Sequence, residues 1–390
     1  MKHPRAFALL AASASISGLG DGLTRVAGPL LAASLTRSPL QVAGLAVAQL
    51  VASAALALPV GVLVDRVDRR AAMAVACGVR VTGVGALGFW LMAGRPSLPL
   101  LYAVYLIVGL AGVGYENAAA GMLPAVAERS GLERANGRLR SAEGLSQSFI
   151  AQPLAAWLFT VAEPAPFVLD AAGLLVVMVL TSRLPRVRPR GATGRLGPDM
   201  RRGLRWLAGS PQLRALALAV AVSNVGLGAL FAVFVLIARQ RLGVGALGYG
   251  VLLTFMAAGG LAGGLIAGRV VDRLGRAGAL RVEIVTETLT YAGLLLSRDP
   301  VLVGAMLTFL SLQLAIFSSV SASLRQTLPP PEMLGRVHGA YRMASNAGLL
   351  AGAALGGLLS QEFGLTAPFW LGLAGMSAVL VFAWNRLGAS

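Results

Sequence analysis

Long apolar runs, separated by short polar breaks, divide the chain into twelve stretches. They lie near residues 6–34, 40–64, 73–93, 98–123, 139–161, 166–184, 213–238, 246–270, 279–297, 301–324, 339–360 and 367–386. Each approaches or exceeds the roughly 20 apolar residues that a helix needs to cross a bilayer. The pattern predicts an all-α membrane protein of twelve transmembrane helices joined by short loops. The first run follows Lys2 and Arg5 and continues through Asp21 and Arg25 to about Leu35. It is too long for the apolar region of a secretory signal, so an uncleaved first span is expected.

Composition agrees. Of 390 residues, 56% are hydrophobic and 13% charged, against about 45–50% and about 25% in soluble domains. The net charge of +17 would point to nucleic acid on a soluble protein. Here it reports topology, and no nucleic-acid partner is expected. With the N-terminus placed inside, the inner segments hold 26 of the 33 Lys and Arg residues and the outer loops five. The positive-inside rule then puts both termini in the cytoplasm of a bacterial inner membrane.

Scarcity excludes chemistries. Lys2 is the only lysine, so no G-x4-G-K-[S/T] phosphate loop exists. His3, His338 and the lone Cys77 cannot build a His/Cys zinc site or an internal disulfide. No G-x-S-x-G elbow occurs. Neither an enzyme nor a bound cofactor or metal is expected. Gly83-Val-Gly-Ala-Leu-Gly88 and Gly243-Val-Gly-Ala-Leu-Gly248 match G-x-G-x-x-G. Neither follows a strand, so helix packing and a loop explain them better than a nucleotide. The glycines at 259, 260, 263, 264 and 268, and at 352 and 356, predict close helix contacts.

The longest break divides the chain into a first bundle of residues 1–184, a linker of 185–212 and a second bundle of 213–390. The linker carries Arg186, Arg188, Arg190 and Arg195. From Pro198 to Leu213 it has the pattern of an interfacial helix, with Met200, Leu204 and Leu207 on one face and Arg201, Arg202 and Arg205 elsewhere. Contact with anionic lipid is expected there. The halves also repeat. Asp65, Arg66 and Arg69, between the second and third runs, recur 207 positions later as Asp272, Arg273 and Arg276. Duplicated six-helix halves place a substrate site between them, near the midplane.

The stretch Gly61-x-Leu-x-Asp65-Arg66-x-x-Arg69-Arg70, with its partial copy at 268–276, resembles the loop signature of the major facilitator superfamily. The resemblance implies two pseudo-symmetric six-helix bundles, alternating access, a monomer, and an ion-pair latch at these loops. Without it, the cluster reads as setting topology alone. Gly18 to Pro29, Leu35-Thr-x-Ser38-Pro39, Leu132-Glu-Arg-Ala-Asn136 and Leu334-Gly-Arg-Val337 resemble the branch of enterobactin-exporter-like and macrolide-efflux-like proteins. That branch implies export of small molecules driven by protons.

Charged residues inside spans are the candidate site. Each costs about 2.5–3.5 kcal/mol at a helix centre on insertion scales, so it seeks a cavity or a partner. Asp21 and Arg25 lie one turn apart on the first span. They form either a self-neutralising pair or a protonatable carboxylate tuned by Arg25. Glu116 and Asn117 lie in the fourth span. Glu116 is a second proton candidate or else a partner of Arg80, Arg138 or Arg140. Asn224 and Gln313 fall near mid-span and bond either substrate or a neighbouring helix. Glu143, Gln147 and Asn346 are secondary candidates. Glu283 and Glu287 share a helix face, and Glu287 matches Arg80 under the 207 offset. Both are expected to be structural, and Asp170 to lie near the outer surface. The function expected is proton-coupled export of an amphipathic small molecule, drug-like or siderophore-like. Uptake of a nutrient or anionic metabolite with Arg25 as counter-charge is the alternative, and a non-transporting sensor or scaffold a third.

Overall fold

The computed structural model describes residues 4–55, 67–94, 96–127, 131–187, 205–206, 208–330 and 333–383. Regular structure among them is helical throughout. In chain order the helices are α1 (Pro4–Leu35), α2 (Pro39–Ala55), α3 (Arg69–Met92), α4 (Leu98–Val126) and α5. The last runs from Leu132–Leu145 through a π turn at Ser146–Ile150 into Ala151–Val161. Then follow α6 (Ala165–Ser182) and α7 (Pro211–Leu236, closed by a π turn at Ile237–Arg241). A helical stretch at Ala246–Leu296 is broken at Gly275, where φ is 68°, giving α8 over 246–274 and α9 over 276–296. It is followed by α10 (Pro300–Thr327), α11 (Leu334–Phe363) and α12 (Ala367–Ala383). These twelve segments match the twelve apolar runs.

Local chemistry sets the ends. Proline occupies the first turn of α4, α6, α7 and α10, where its missing N–H costs nothing. The Asp68 carboxylate accepts from the Ala71 N–H at 3.1 Å to start α3, and Asp299 accepts from Leu302 at 2.8 Å to start α10. The π turn of α5 comes just before Pro153, whose ring cannot donate to the preceding turn. Three helices begin a full turn or more before their apolar runs: α3 at Arg69, α5 at Leu132 and α11 at Leu334. Their first turns are polar but still anchored. Ala135 and Leu139 of α5 are buried with Phe7, Tyr115 and Met122.

Among the described residues, eight helices are long and apolar enough to cross a membrane, with α8 and α9 counted as one continuous stretch. Phe89, Met92, Leu265, Leu296, Val301 and Phe382 are each more than two-thirds exposed, as a hydrocarbon solvent allows and water would not.

Contacts divide the chain into two compact units. The first comprises Met1–Arg37, Ala48–Thr193 and Gly245–Thr254; the second comprises Ser38–Val47, Gly194–Val244 and Phe255–Ser390. In the first, Leu10, Met73, Cys77, Ala118, Met122 and Val177 centre a core drawn from α1, α3, α4 and α6. In the second, α7 is the enclosed helix: 78% of its apolar window is buried, against 28–50% in the other spans. Gly348, Gly352 and Gly356 of α11 rest on the α7 backbone at Ala221, Val225 and Ala229. Gly259 and Gly263 of α8 rest on α10 at Thr308 and Leu312. Small residues thus let backbones meet where apolar burial gives no drive between helices. Gly264 and Gly268 have open space beside them, so the close contact predicted for the whole stripe is confined to part of it.

Candidate functional site

The first unit buries an arginine. Arg80, midway along α3, is 1% exposed. Its Nη1 donates to Ser17 Oγ of α1 at 2.8 Å, and its Nη2 forms an ion pair with Asp21 one turn further along α1. Asp170 of α6, also 1% exposed, lies within the electrostatic reach of the same guanidinium. Gly20 makes this approach possible, because a Cβ there would occupy the place of the Asp170 carboxylate. Among the described residues, neither Asp170 oxygen has a hydrogen-bond partner. The Asp21 side chain is 33% exposed. One permanent cation therefore faces two carboxylates, one sealed and one reachable.

This corrects two expectations. Asp21 pairs with Arg80 rather than with Arg25, whose side chain is exposed. A buried guanidinium cannot deprotonate and demands a counter-charge, whereas Arg25 keeps its head group in a polar medium. Asp170 is not near the surface but is packed against the midpoint of α1. The mid-helix arginine in apolar α3 was the available signal for this cluster; Ser17 carried none.

The other first-unit candidates gather nearby. Glu116 and Asn117 are exposed on α4. Glu116 lies within electrostatic reach of Asp21, Arg140, Arg80 and Arg25. Glu143 Oε2 accepts from Arg140 at 3.5 Å, and Gly18 of α1 touches the Glu143 backbone. Gly22 lies against the Gln147 carbonyl in the π turn. Asp21, Arg25, Glu116, Glu143 and Gln147 thus share one region, assembled from α1, α4 and α5.

In the second unit, Asn224 of α7 donates to the Ser345 carbonyl at 3.1 Å and to Ser345 Oγ at 2.6 Å. Gln313 of α10 is 4% exposed and donates to Thr290 Oγ1 at 3.3 Å. Both hold neighbouring helices. Asn346 is half-buried on α11. Glu283 and Glu287 are 4% and 0% exposed, and Ser223 Oγ donates to Glu287 Oε1 at 2.8 Å.

Of the loop signature, Gly61, Asp65 and Arg66 lie outside the described residues. Arg69 lies against Gly121 of α4, and its backbone N–H reaches the Val187 carbonyl at 3.4 Å. Arg70 Nη1 donates to the Leu184 carbonyl at 3.3 Å. In the second copy, Asp272, Arg273 and Arg276 are exposed. Residues 198–204 and 207 of the amphipathic linker are likewise outside the described set. Arg205, Trp206, Gly209, Ser210 and Met333 line a hollow of about 570 Å³. Among the described residues, no group of three or more His, Cys, Asp or Glu is placed to hold a metal ion.

A sequence profile described as Major Facilitator Superfamily matches residues 10–348 and, in a second match, 216–387. The chain belongs to the major facilitator superfamily. It is an integral membrane protein with a transporter fold. No curated protein matches it in sequence. Among solved structures, a bacterial homologue of the iron transporter ferroportin in an inward-facing state is 17% identical. Coverage is 100% of both chains and the TM-score is 0.78. A variant of the nucleoside transporter NupG is 15% identical over 98% of this chain and 100% of its own, with a TM-score of 0.76. A bacterial homologue of the human lysosomal transporter Spinster is 16% identical over 98% and 95%, with a TM-score of 0.71. At these identities the likeness is one of fold.

Proposed function

We propose that the chain is a secondary transporter that exports an amphipathic small molecule in exchange for protons, with Asp21 as the residue that takes the proton. The observation carrying this reading is the shared guanidinium. Arg80 is bonded to the reachable carboxylate of Asp21, while the sealed carboxylate of Asp170 lies beside it without a hydrogen-bond partner. A proton on Asp21 removes one of the two negative charges and weakens its pair with Arg80. Arg80 then turns its charge toward Asp170, and the contact between α1 and α3 gives way to one between α3 and α6. Two arrangements of one buried charge form a two-state element that a proton can bias. Glu116, exposed nearby, is the second carboxylate on the route. Moving one charge across 100 mV is worth about 2.3 kcal/mol, enough for about a fifty-fold substrate gradient per proton.

The fold likeness includes transporters named for nucleosides and iron, so substrate class rests on the exporter-like motifs rather than on these neighbours. Anionic lipid is the proposed partner of the Arg205–Trp206 hollow, where an arginine and an indole adjoin as at a membrane interface. The deciding experiment uses proteoliposomes with an imposed pH gradient and a panel of amphipathic dyes, macrolides, nucleosides and ferrous iron. Proton movement should accompany flux of an amphipathic member and disappear in Asp21→Asn. Proton-coupled flux unchanged in both Asp21→Asn and Glu116→Gln would remove these carboxylates from the mechanism. Accumulation inside right-side-out vesicles would reverse the direction and make Arg25 the counter-charge of an imported anion.

A further inference from the structure

The second unit contains two carboxyl groups that the transport reading does not use. Glu283 and Glu287 lie one turn apart on α9, buried and close enough for one to donate a hydrogen bond to the other. Ser223 of α7 donates to Glu287 Oε1, and Oε2 of each glutamate has no hydrogen-bond partner. One turn beyond Glu287, the fully buried Tyr291 presses its hydroxyl against Gly226 of α7, and that hydroxyl is also without a partner. From α10, Gln313 is bonded to Thr290 through Nε2 and leaves Oε1 unpartnered. From α12, Gly372 lies against the Tyr291 ring. From α11, Tyr341 lies within electrostatic reach of Glu283. Its hydroxyl accepts from Ser321 at 2.7 Å, and the Arg325 guanidinium sits 3.9 Å above its ring. Arg325 in turn touches His338 Nδ1 at 3.1 Å. Among the described residues, no ion pair reaches either glutamate.

Two ionised carboxylates one turn apart, dry and without a base, are mutually repulsive and individually costly. One proton removes the repulsion and the cost of one of the two charges, and supplies a donor between the facing oxygens. We propose that Glu283 and Glu287 form a proton-binding site, in which a carboxylic acid and a carboxylate share one proton. Binding forms one O–H bond and breaks no covalent bond. Ser223 holds the Glu287 oxygen, and Tyr291 supplies a second hydroxyl beside it. The pair titrates as a unit, so the proton belongs to neither residue alone. The site stands independently of Asp21, because it lies in the other unit and is read without flux.

The test is infrared spectroscopy of the full-length chain in lipid nanodiscs at neutral pH, in H₂O and in D₂O. The wild type should show the carbonyl band of a buried protonated carboxyl, shifted in D₂O. The band should survive Asp21→Asn and Glu116→Gln and vanish in the Glu283→Gln/Glu287→Gln double variant. The double variant keeps the shape of the protonated pair, and an unchanged thermal melt confirms its fold. A wild type with no such band, or a band that persists in the double variant, overturns the proposal. So does a band removed when sodium chloride replaces choline chloride, since the occupant would then be a metal cation.

Discussion

Ser17 of α1 accepts a hydrogen bond from Arg80 of α3, and Ser223 of α7 donates one to Glu287 of α9. Arg80 and Glu287 are separated by the 207 positions that separate the two copies of the loop signature. The two units therefore place a serine of one helix against a charge-bearing residue of another, with the charge reversed; the charged residues match under the offset, while the serines are one position out of register, since Ser17 falls on Asn224. A hydroxyl both donates and accepts, so the scaffold tolerates the inversion. The counter-charge differs. In the first unit the cation Arg80 has carboxylates of α1 and α6 around it. In the second, no ion pair reaches the two carboxyl groups among the described residues, and a shared proton is the counter-charge we propose. On the two proposals, the first arrangement exchanges partners and the second stores a charge.

The hardest blow to this contrast is removal of the cation. Arg80→Leu leaves Asp21 and Asp170 facing each other through apolar packing. Breaking one side of a buried ion pair costs about 3–5 kcal/mol. The variant should unfold at markedly lower denaturant in detergent, or fail to accumulate. Glu287→Gln, the matched change in the second unit, replaces one member of the proton-sharing pair by a neutral amide of the same shape, leaves the proton to Glu283, and should alter the midpoint little. Equal losses in the two variants would mean that Glu287 is ionised and has a cation of its own.

The serines give a smaller and cleaner version. Ser17→Ala removes a hydrogen bond to a charged group, worth about 1.5–3 kcal/mol. Ser223→Ala removes one to a carboxyl that shares a proton, nearer the ordinary value of about 0.5–1.5 kcal/mol. Denaturation midpoints of the two variants, measured side by side, should differ in that order. A larger loss from Ser223→Ala would place full charge on Glu287.

Much of this architecture was legible in residue order, and the reason is physical. A bilayer forces every span to be long and apolar, so twelve runs announced twelve helices and Gly275 fell in a predicted break. Polar contacts inside the bundle are not so constrained. Asp21 could be named as a candidate because a charge in a span is costly anywhere. Its partner could not, since Arg80 lies 59 residues away and meets it only through helix packing, while Arg25 offered a local alternative on the same face. Asp170 was misplaced for a related reason: its position near the start of α6 indicated depth along one helix, but burial depended on a glycine in another. Asn224 and Gln313 fall near the middle of α7 and α10; which neighbour each bonds is set by α11 and α9.

A difference confined to the helix starts concerns the loops themselves. Under the same offset Asp68, which caps α3, corresponds to Gly275, which separates α8 from α9. One unit starts its third helix with a side-chain acceptor, the other with a backbone turn at φ 68°. Asp68→Ala forfeits the cap and should cost about 1 kcal/mol. Gly275→Ala puts a Cβ on backbone at φ 68° and ψ 169°, a region open essentially to glycine, at about 1–3 kcal/mol, although no neighbour lies within reach of the added atom. Exchanging the two solutions separates these causes. Gly275→Asn should recover little, because φ 68° with ψ 169° lies outside the left-handed helical well that Asn tolerates and is open essentially to glycine alone, whereas Asp68→Gly should recover nearly all of the capping loss, because glycine at a helix start costs only a few tenths of a kcal/mol. Melting curves of the four single variants check this. If Gly275→Ala proved neutral while Asp68→Ala did not, the break in the second unit would not depend on glycine, and the correspondence between the two starts would be one of position alone.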